Sequence, residues 1–145
     1  MTMPTRNVGS DRGSVTLELA ILAPAVLALL GLVIVAGRIE IAGGAIEQAS
    51  AAAAREASLA RSPDAARQAA TRAAMDDLNS QDVHCTEISV FVDTSGFNVP
   101  VGSPAQVSAR VSCTVGLSDI SVPGMPGSRT LTAETQSVLD RYRSR

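Results

Sequence analysis

Large aromatic side chains are almost missing from this chain. Among its 145 residues there is no tryptophan, and only Phe91, Phe97 and Tyr142 carry aromatic rings. Small domains draw much of their burial from such rings, so any core here has to be assembled from Ala, Val, Leu and Ile. Lysine is absent as well. All twelve basic residues are Arg, set against fourteen Asp and Glu, for a formal net charge of −2. That balance gives no general attraction for a polyanion and excludes nucleic acid as a default partner. His84 is the sole histidine, which excludes a multi-His metal site. The chain has no phosphate-binding Gly loop, no C-x-x-C and no H-E-x-x-H. Neither a catalytic constellation nor a cofactor is implied, and the chain reads as non-enzymatic.

What is present is aliphatic. Hydrophobic residues make up 46% of the chain, and mean hydropathy is +0.20. Much of this sits in one run, LAILAPAVLALLGLVIVA from Leu19 to Ala36, with no charged or strongly polar residue. At 1.5 Å per residue such a helix spans about 27 Å, close to the thickness of a bilayer hydrocarbon core. A soluble protein buries a helix that is apolar all round only inside a large body, and this chain is too small to surround one. A cleavable secretory signal has a shorter apolar core, about 7–15 residues, and a small-residue cleavage site. Here the run ends in Gly37, Arg38, Ile39 and Glu40, with the nearest small-residue cluster at Ala42-Gly43-Gly44. The run is therefore expected to be a single membrane-spanning helix. Arg6 and Arg12 on the amino-terminal side favour a cytoplasmic amino terminus by the positive-inside rule, against Arg38 at the other end.

Glu18 stands at the start of this helix, where a charge is unfavourable by up to about 2.5–3.5 kcal/mol at the bilayer centre and less near the interface. At headgroup depth it sits at the positive end of the helix dipole. Its surroundings read Arg12-Gly13-Ser14-Val15-Thr16-Leu17-Glu18: a basic residue, a Gly, then an apolar stretch with Glu at the fifth position after the Gly. This resembles the type III signal of prepilins, which a membrane aspartyl peptidase cuts after the Gly on the cytoplasmic side. The resemblance implies a cut between Gly13 and Ser14. Ser14 would then carry a positive amine, and the Glu18 carboxylate would pair with the amine of a neighbouring subunit. An ionisable group within a membrane needs a partner of that kind.

The stretch RGSVTLELAILAPAVLALLGLVIVAGR is similar to the TadE-like pseudopilins of tight-adherence (Flp-type) pilus systems. These carry a Gly, a Glu and then a Pro in the first turns of the membrane helix, the places held by Gly13, Glu18 and Pro24. The Ala- and Arg-rich AAAAREASLARS that follows also looks like the family, so the resemblance covers about residues 12–62. Two positions depart from the usual signals: Ser14, where major pilins have Phe or Met, and Leu19, where Flp-type signals often have Tyr. Pro24 removes a backbone donor and kinks most helices, which membranes tolerate when neighbours satisfy the freed carbonyl. The partners implied are a prepilin peptidase, other pilin or pseudopilin subunits, the pilus assembly machinery and the membrane.

Past the membrane, residues 39–60 read as helix, continuous with the span apart from a weak point at Gly43-Gly44. Ala42, Ile46, Ala49, Ala53 and Ala60 form a narrow face of small residues. Either that face packs on another helix of an assembly, or it reflects the helix propensity of Ala. Ser62-Pro63-Asp64 is a helix-start signal, with a second helix expected over Pro63–Leu78 and Arg67, Arg72, Asp76 and Asp77 on its solvated face. After Asn79 the period becomes two. Strands are expected over His84–Val92, Gln106–Leu117 and Thr130–Leu139, separated by turn-rich loops. An antiparallel three-stranded sheet with a long helix on its apolar face is the simplest arrangement. The expected class is α+β, pilin-like: a leader over 1–13, a transmembrane helix over 14–37, a helical region over 38–79 and an extracytoplasmic β domain over 80–145.

Cys85 and Cys113 each fall on an expected strand. In a core-poor domain outside the cytoplasm they point to one disulfide, the alternative being two buried free thiols. His84 adjoins Cys85, but neighbours on a strand face opposite ways, which argues against a Cys–His nucleophile. Two functional classes follow. One is a minor pilin-like subunit or assembly factor of a tight-adherence pilus. The other is a signal-anchored envelope protein whose exported domain binds a ligand or protein, with no role for Gly13.

Overall fold

The computed structural model describes residues 12–116 and 127–142, with side chains from Glu18 onward. Residues 1–11 of the expected leader lie outside the described residues. The chain opens with helix α1, Arg12–Leu59, whose 48 residues give a length of about 72 Å. It runs unbroken through Gly43 and Gly44, against the expected weak point. A Cβ at either position would meet nothing within 4 Å, so neither glycine is required by packing. Each is unfavourable by about 1 kcal/mol relative to Ala. The burial of Ala42, Ala45 and Ile46 around them holds the helix where propensity alone would not.

Helix α2, Pro63–Ser80, begins as its sequence signal requires. Ser62 has an extended backbone, its Oγ accepts from the Ala65 N–H at 3.3 Å, and Pro63 occupies the first turn. Ala66, Ala70, Ala74 and Leu78 recur every fourth residue and are all buried. Past its carboxyl end the chain turns through Asp82 at φ 57°, a left-handed conformation that Asp tolerates better than most side chains.

Three strands follow: β1 Cys85–Asp93, β2 Gln106–Gly116 and β3 Ser128–Val138, in one antiparallel sheet of order β1-β2-β3. Alternation puts Val90, Val111 and Ala133 on one inward rung and Ile88, Cys113 and Leu131 on the next. The outward rungs are polar, as in Ser89, Ser112 and Thr132, except for exposed Phe91 on the rung of Arg110 and Glu134. Residue 117, expected at the end of the second strand, lies outside the described residues.

Both helices cover the inner face, α1 over β2 and β3, and α2 beside α1 over β1. The small-residue face of α1 is thus occupied within its own chain. Ala42, Ala45, Ile46, Ala49, Ser50, Ala53, Ala54 and Ala57 are buried and pack on α2 and the sheet, whereas Ala60 lies past the helix end. This replaces both sequence expectations for that face: alanine is there because a sheet and a second helix approach closely. Of the three aromatics only Phe97 is buried, in a 3-10 turn over Ser95–Asn98, while Phe91 and Tyr142 are exposed. The core is aliphatic and rich in alanine, as the composition requires.

Candidate functional site

The residues singled out from the sequence lie toward two ends of the molecule, and the structure keeps them apart. Gly13, Ser14, Glu18 and Pro24 all lie in the first turns of α1. Their separations follow from helix geometry: Glu18 stands about 7.5 Å along the axis from Gly13, and Pro24 about 9 Å beyond Glu18. The side chain at position 14 lies outside the described residues. Glu18 is exposed, as is Pro24, through which the helix continues. Because Pro24 has no N–H, the Ala20 carbonyl receives no bond from it.

From Leu19 to Ile34 every large apolar side chain is exposed. The helix is long and apolar enough to cross a membrane, and only 6% of its most apolar stretch is buried. Burial separates this segment from a soluble core helix. Eleven Leu, Ile and Val side chains lie between Leu19 and Ala36. At about 0.3–0.6 kcal/mol each they favour insertion by about 3–7 kcal/mol, more than the opposing contribution of one Glu at the interface.

At the other end of α1 the helix is fixed to the domain by two polar contacts in an otherwise alanine-lined interface. Ser50 Oγ and Thr135 Oγ1 lie 2.7 Å apart, and Ser58 accepts from Ser137 at 3.1 Å. Arg67 is exposed, as expected of a solvated face, and it also ties the start of α2 to the end of β1, donating to Asp64 at 2.8 Å and to Thr94 at 3.0 Å.

Cys85 and Cys113 form a disulfide with a Cα–Cα distance of 5.4 Å. They are not direct cross-strand partners: Cys85 pairs with Val115, and Ile88 with Cys113. A β-bulge between Cys85 and Glu87 inserts Thr86 and restores Cys85 to the inner face, where Cys113 is fully buried. Closing this loop contributes roughly 3–4 kcal/mol in the chain-entropy model. Among the described residues no cluster of His, Cys, Asp or Glu could hold a metal ion.

The long helix, its exposed apolar stretch and the Gly-Glu-Pro spacing converge on one comparison. Residues 13–55 match the TadE-like protein family. No curated protein and no solved structure matches the chain. The TadE-like segment takes in Gly13, Ser14, Glu18, Pro24, the apolar stretch and the first turns that pack on the domain. It stops before α2 and the sheet. At the level of the family, it supports involvement in a tight-adherence pilus system.

Proposed function

We propose that this TadE-like protein is a minor pilin-like subunit or assembly factor of a tight-adherence pilus, with a structural rather than catalytic role. The observation that carries this reading is α1 itself. One helix presents an apolar surface on every side over Leu19–Ile34, bears Glu18 at its start, and runs without interruption into a folded domain. That is the form of a subunit that can be held in a membrane and later drawn out beside other helices. In this reading the amino terminus is cytoplasmic, a prepilin peptidase cuts between Gly13 and Ser14, and Glu18 pairs with the amine of a neighbouring pilin or pseudopilin. The domain lies outside the cytoplasm, where a disulfide such as Cys85–Cys113 persists.

The test is the intact mass and amino-terminal sequence of the protein purified from its native membrane. A start at Ser14 is expected. An uncut terminus would remove prepilin processing from the proposal. A start at Gly43 or beyond would remove the apolar helix from the mature protein and overturn it.

A further inference from the structure

A groove opens where α1 leaves its apolar stretch and meets the domain. It has a volume of about 250 Å³. One wall is α1 from Arg38 to Ala42. The other is the connection from α2 to β1, Gln81 to His84, with Val115 and Gly116 closing the side. Position along the helix identifies what faces it. Arg38, at the near edge of the groove, lies two residues past Ala36, the end of the apolar run, or about 3 Å further along the axis, and Ala42 lies about 9 Å further. The headgroup layer on each side of a hydrocarbon core is about 5–8 Å thick. The groove mouth therefore begins within that layer.

The lining suits a phospholipid. Ile41 is 73% exposed although it lies beyond the apolar run, and it adjoins half-buried Ile39. Arg38 brings a guanidinium whose five N–H donors can serve a phosphate alongside a protein partner. Across the groove, Asp82 and His84 are exposed and 3.9 Å apart at their nearest polar atoms. A carboxylate there complements the amine of a zwitterionic headgroup. We infer that the groove between Arg38–Ala42 and Gln81–His84 seats a phospholipid headgroup, so that the proximal end of the domain rests in the outer headgroup layer rather than standing clear of it. This rests on the membrane reading proposed above.

The chain has no tryptophan, so a single introduced indole reports its position directly. Val33→Trp marks the apolar stretch, His84→Trp the groove, and Val101→Trp the loop after β1, at the opposite end of the sheet. All three side chains are exposed, and disulfide formation in each variant checks folding. The full-length variants are reconstituted in vesicles of phosphatidylethanolamine and phosphatidylglycerol carrying a fixed fraction of a phospholipid with a nitroxide on its headgroup or on its acyl chain. The Val33→Trp variant is expected to lose emission to the acyl nitroxide, the His84→Trp variant to the headgroup nitroxide, and the Val101→Trp variant to neither. In a matrix of uncharged galactolipid, the same fraction of headgroup-labelled phospholipid is expected to quench the His84→Trp variant more strongly, because unlabelled phospholipid no longer competes for the seat. Equal quenching of that variant in both matrices would overturn the phosphate assignment. Quenching at position 33 without quenching at position 84 would overturn the seat while leaving the membrane helix standing. No quenching at position 33 would overturn the membrane reading and the seat together.

Discussion

Ser50 of α1 accepts a hydrogen bond from Thr135 of β3. The direction follows from a second contact: Ser50 Oγ donates to the Glu47 carbonyl at 2.9 Å, so at 2.7 Å from Thr135 Oγ1 it can only accept. Ser50 is fully buried, and the pair fixes the height of the domain on an alanine-lined helix that has few other features to set its register.

That asymmetry orders two substitutions. Ser50→Ala leaves the Thr135 hydroxyl without its acceptor in a partly buried site and is expected to destabilise by about 1–3 kcal/mol. Thr135→Val keeps volume and leaves Ser50 bonded to Glu47, so its effect is smaller. Urea unfolding of the full chain in detergent micelles measures both. A larger loss from Thr135→Val would reverse the donor assignment.

Gly96 is the second point of close approach. A Cβ built there would run into the Gln106 carbonyl oxygen and also press on Leu139. Both neighbours are held, since the Leu139 N–H donates to the Ala105 carbonyl at 2.9 Å. Gly96→Ala is expected to destabilise by about 1–3 kcal/mol, as overpacking does where backbone has to move. Wild-type stability of the alanine variant would show that the loop yields without strain.

The bulge at Thr86 makes a sharper prediction. Cys85 and Ile88 share the inner face although they lie three residues apart, a parity that period two forbids without an extra residue. Deleting Thr86 leaves Cys85 two residues before Ile88 and opposite Val115, so plain alternation keeps it on the inner face. The disulfide is therefore expected to form as before, with no free thiol on titration of the denatured chain after folding under oxidising conditions. Two free thiols would mean that the bulge itself, and not the face Cys85 occupies, sets the pairing. Cys113→Ala alone is expected to lower stability by about 3–4 kcal/mol.

These three sites mark the limit of what the sequence could tell. Residues 19–36 announce a helix long and apolar enough to cross a membrane because that property is set by composition and length. Ser62-Pro63 announces a helix start because capping is local. The alternation of Val107, Ala109, Val111 and Cys113 announces a strand for the same reason. Gly96, Thr86 and the partner of the alanine face depend on what approaches from elsewhere in the chain. An alanine at position 49 looks the same in sequence whether it meets another subunit or its own α2. Gly13, Glu18 and Pro24 stand out only through their joint spacing at the head of the apolar run, inside the segment that matches the TadE-like family, since each residue alone is common.

Acid should weaken the outer face of the sheet. Glu134 accepts two bonds from Arg110, at 2.7 and 3.0 Å, and this partner first, then Ser108, holds its carboxyl below the usual range. Asp93 is lowered by the backbone N–H of Ser95, which it accepts at 2.9 Å. A carboxyl depressed in the folded state contributes stability that is fully present above its unfolded pKa, about 4, and is lost as pH falls through the folded value. The difference in stability between wild type and Glu134→Gln is therefore expected to be constant at neutral pH and to shrink below about pH 4. Both residues are exposed, so the difference is small and falls with salt. A difference that grows on acidification would mean that Glu134 is destabilising when charged.

Glu18 separates anchoring from assembly. The apolar stretch favours insertion by itself, so Glu18→Gln, which keeps the shape and removes the charge, is expected to leave the protein in the membrane fraction and resistant to alkaline extraction. If the carboxylate pairs with a subunit amine, the same variant loses co-purification with its pilin-like partners. A pair worth about 1.4 kcal/mol corresponds to a tenfold weakening. Glu18→Asp restores the charge but draws it back by one methylene, and recovers part of the association if an ion pair is the cause. Undiminished co-purification of Glu18→Gln would reduce Glu18 to an interfacial residue, and the search for the recruiting contact would move from the head of α1 to the exposed surface of the domain.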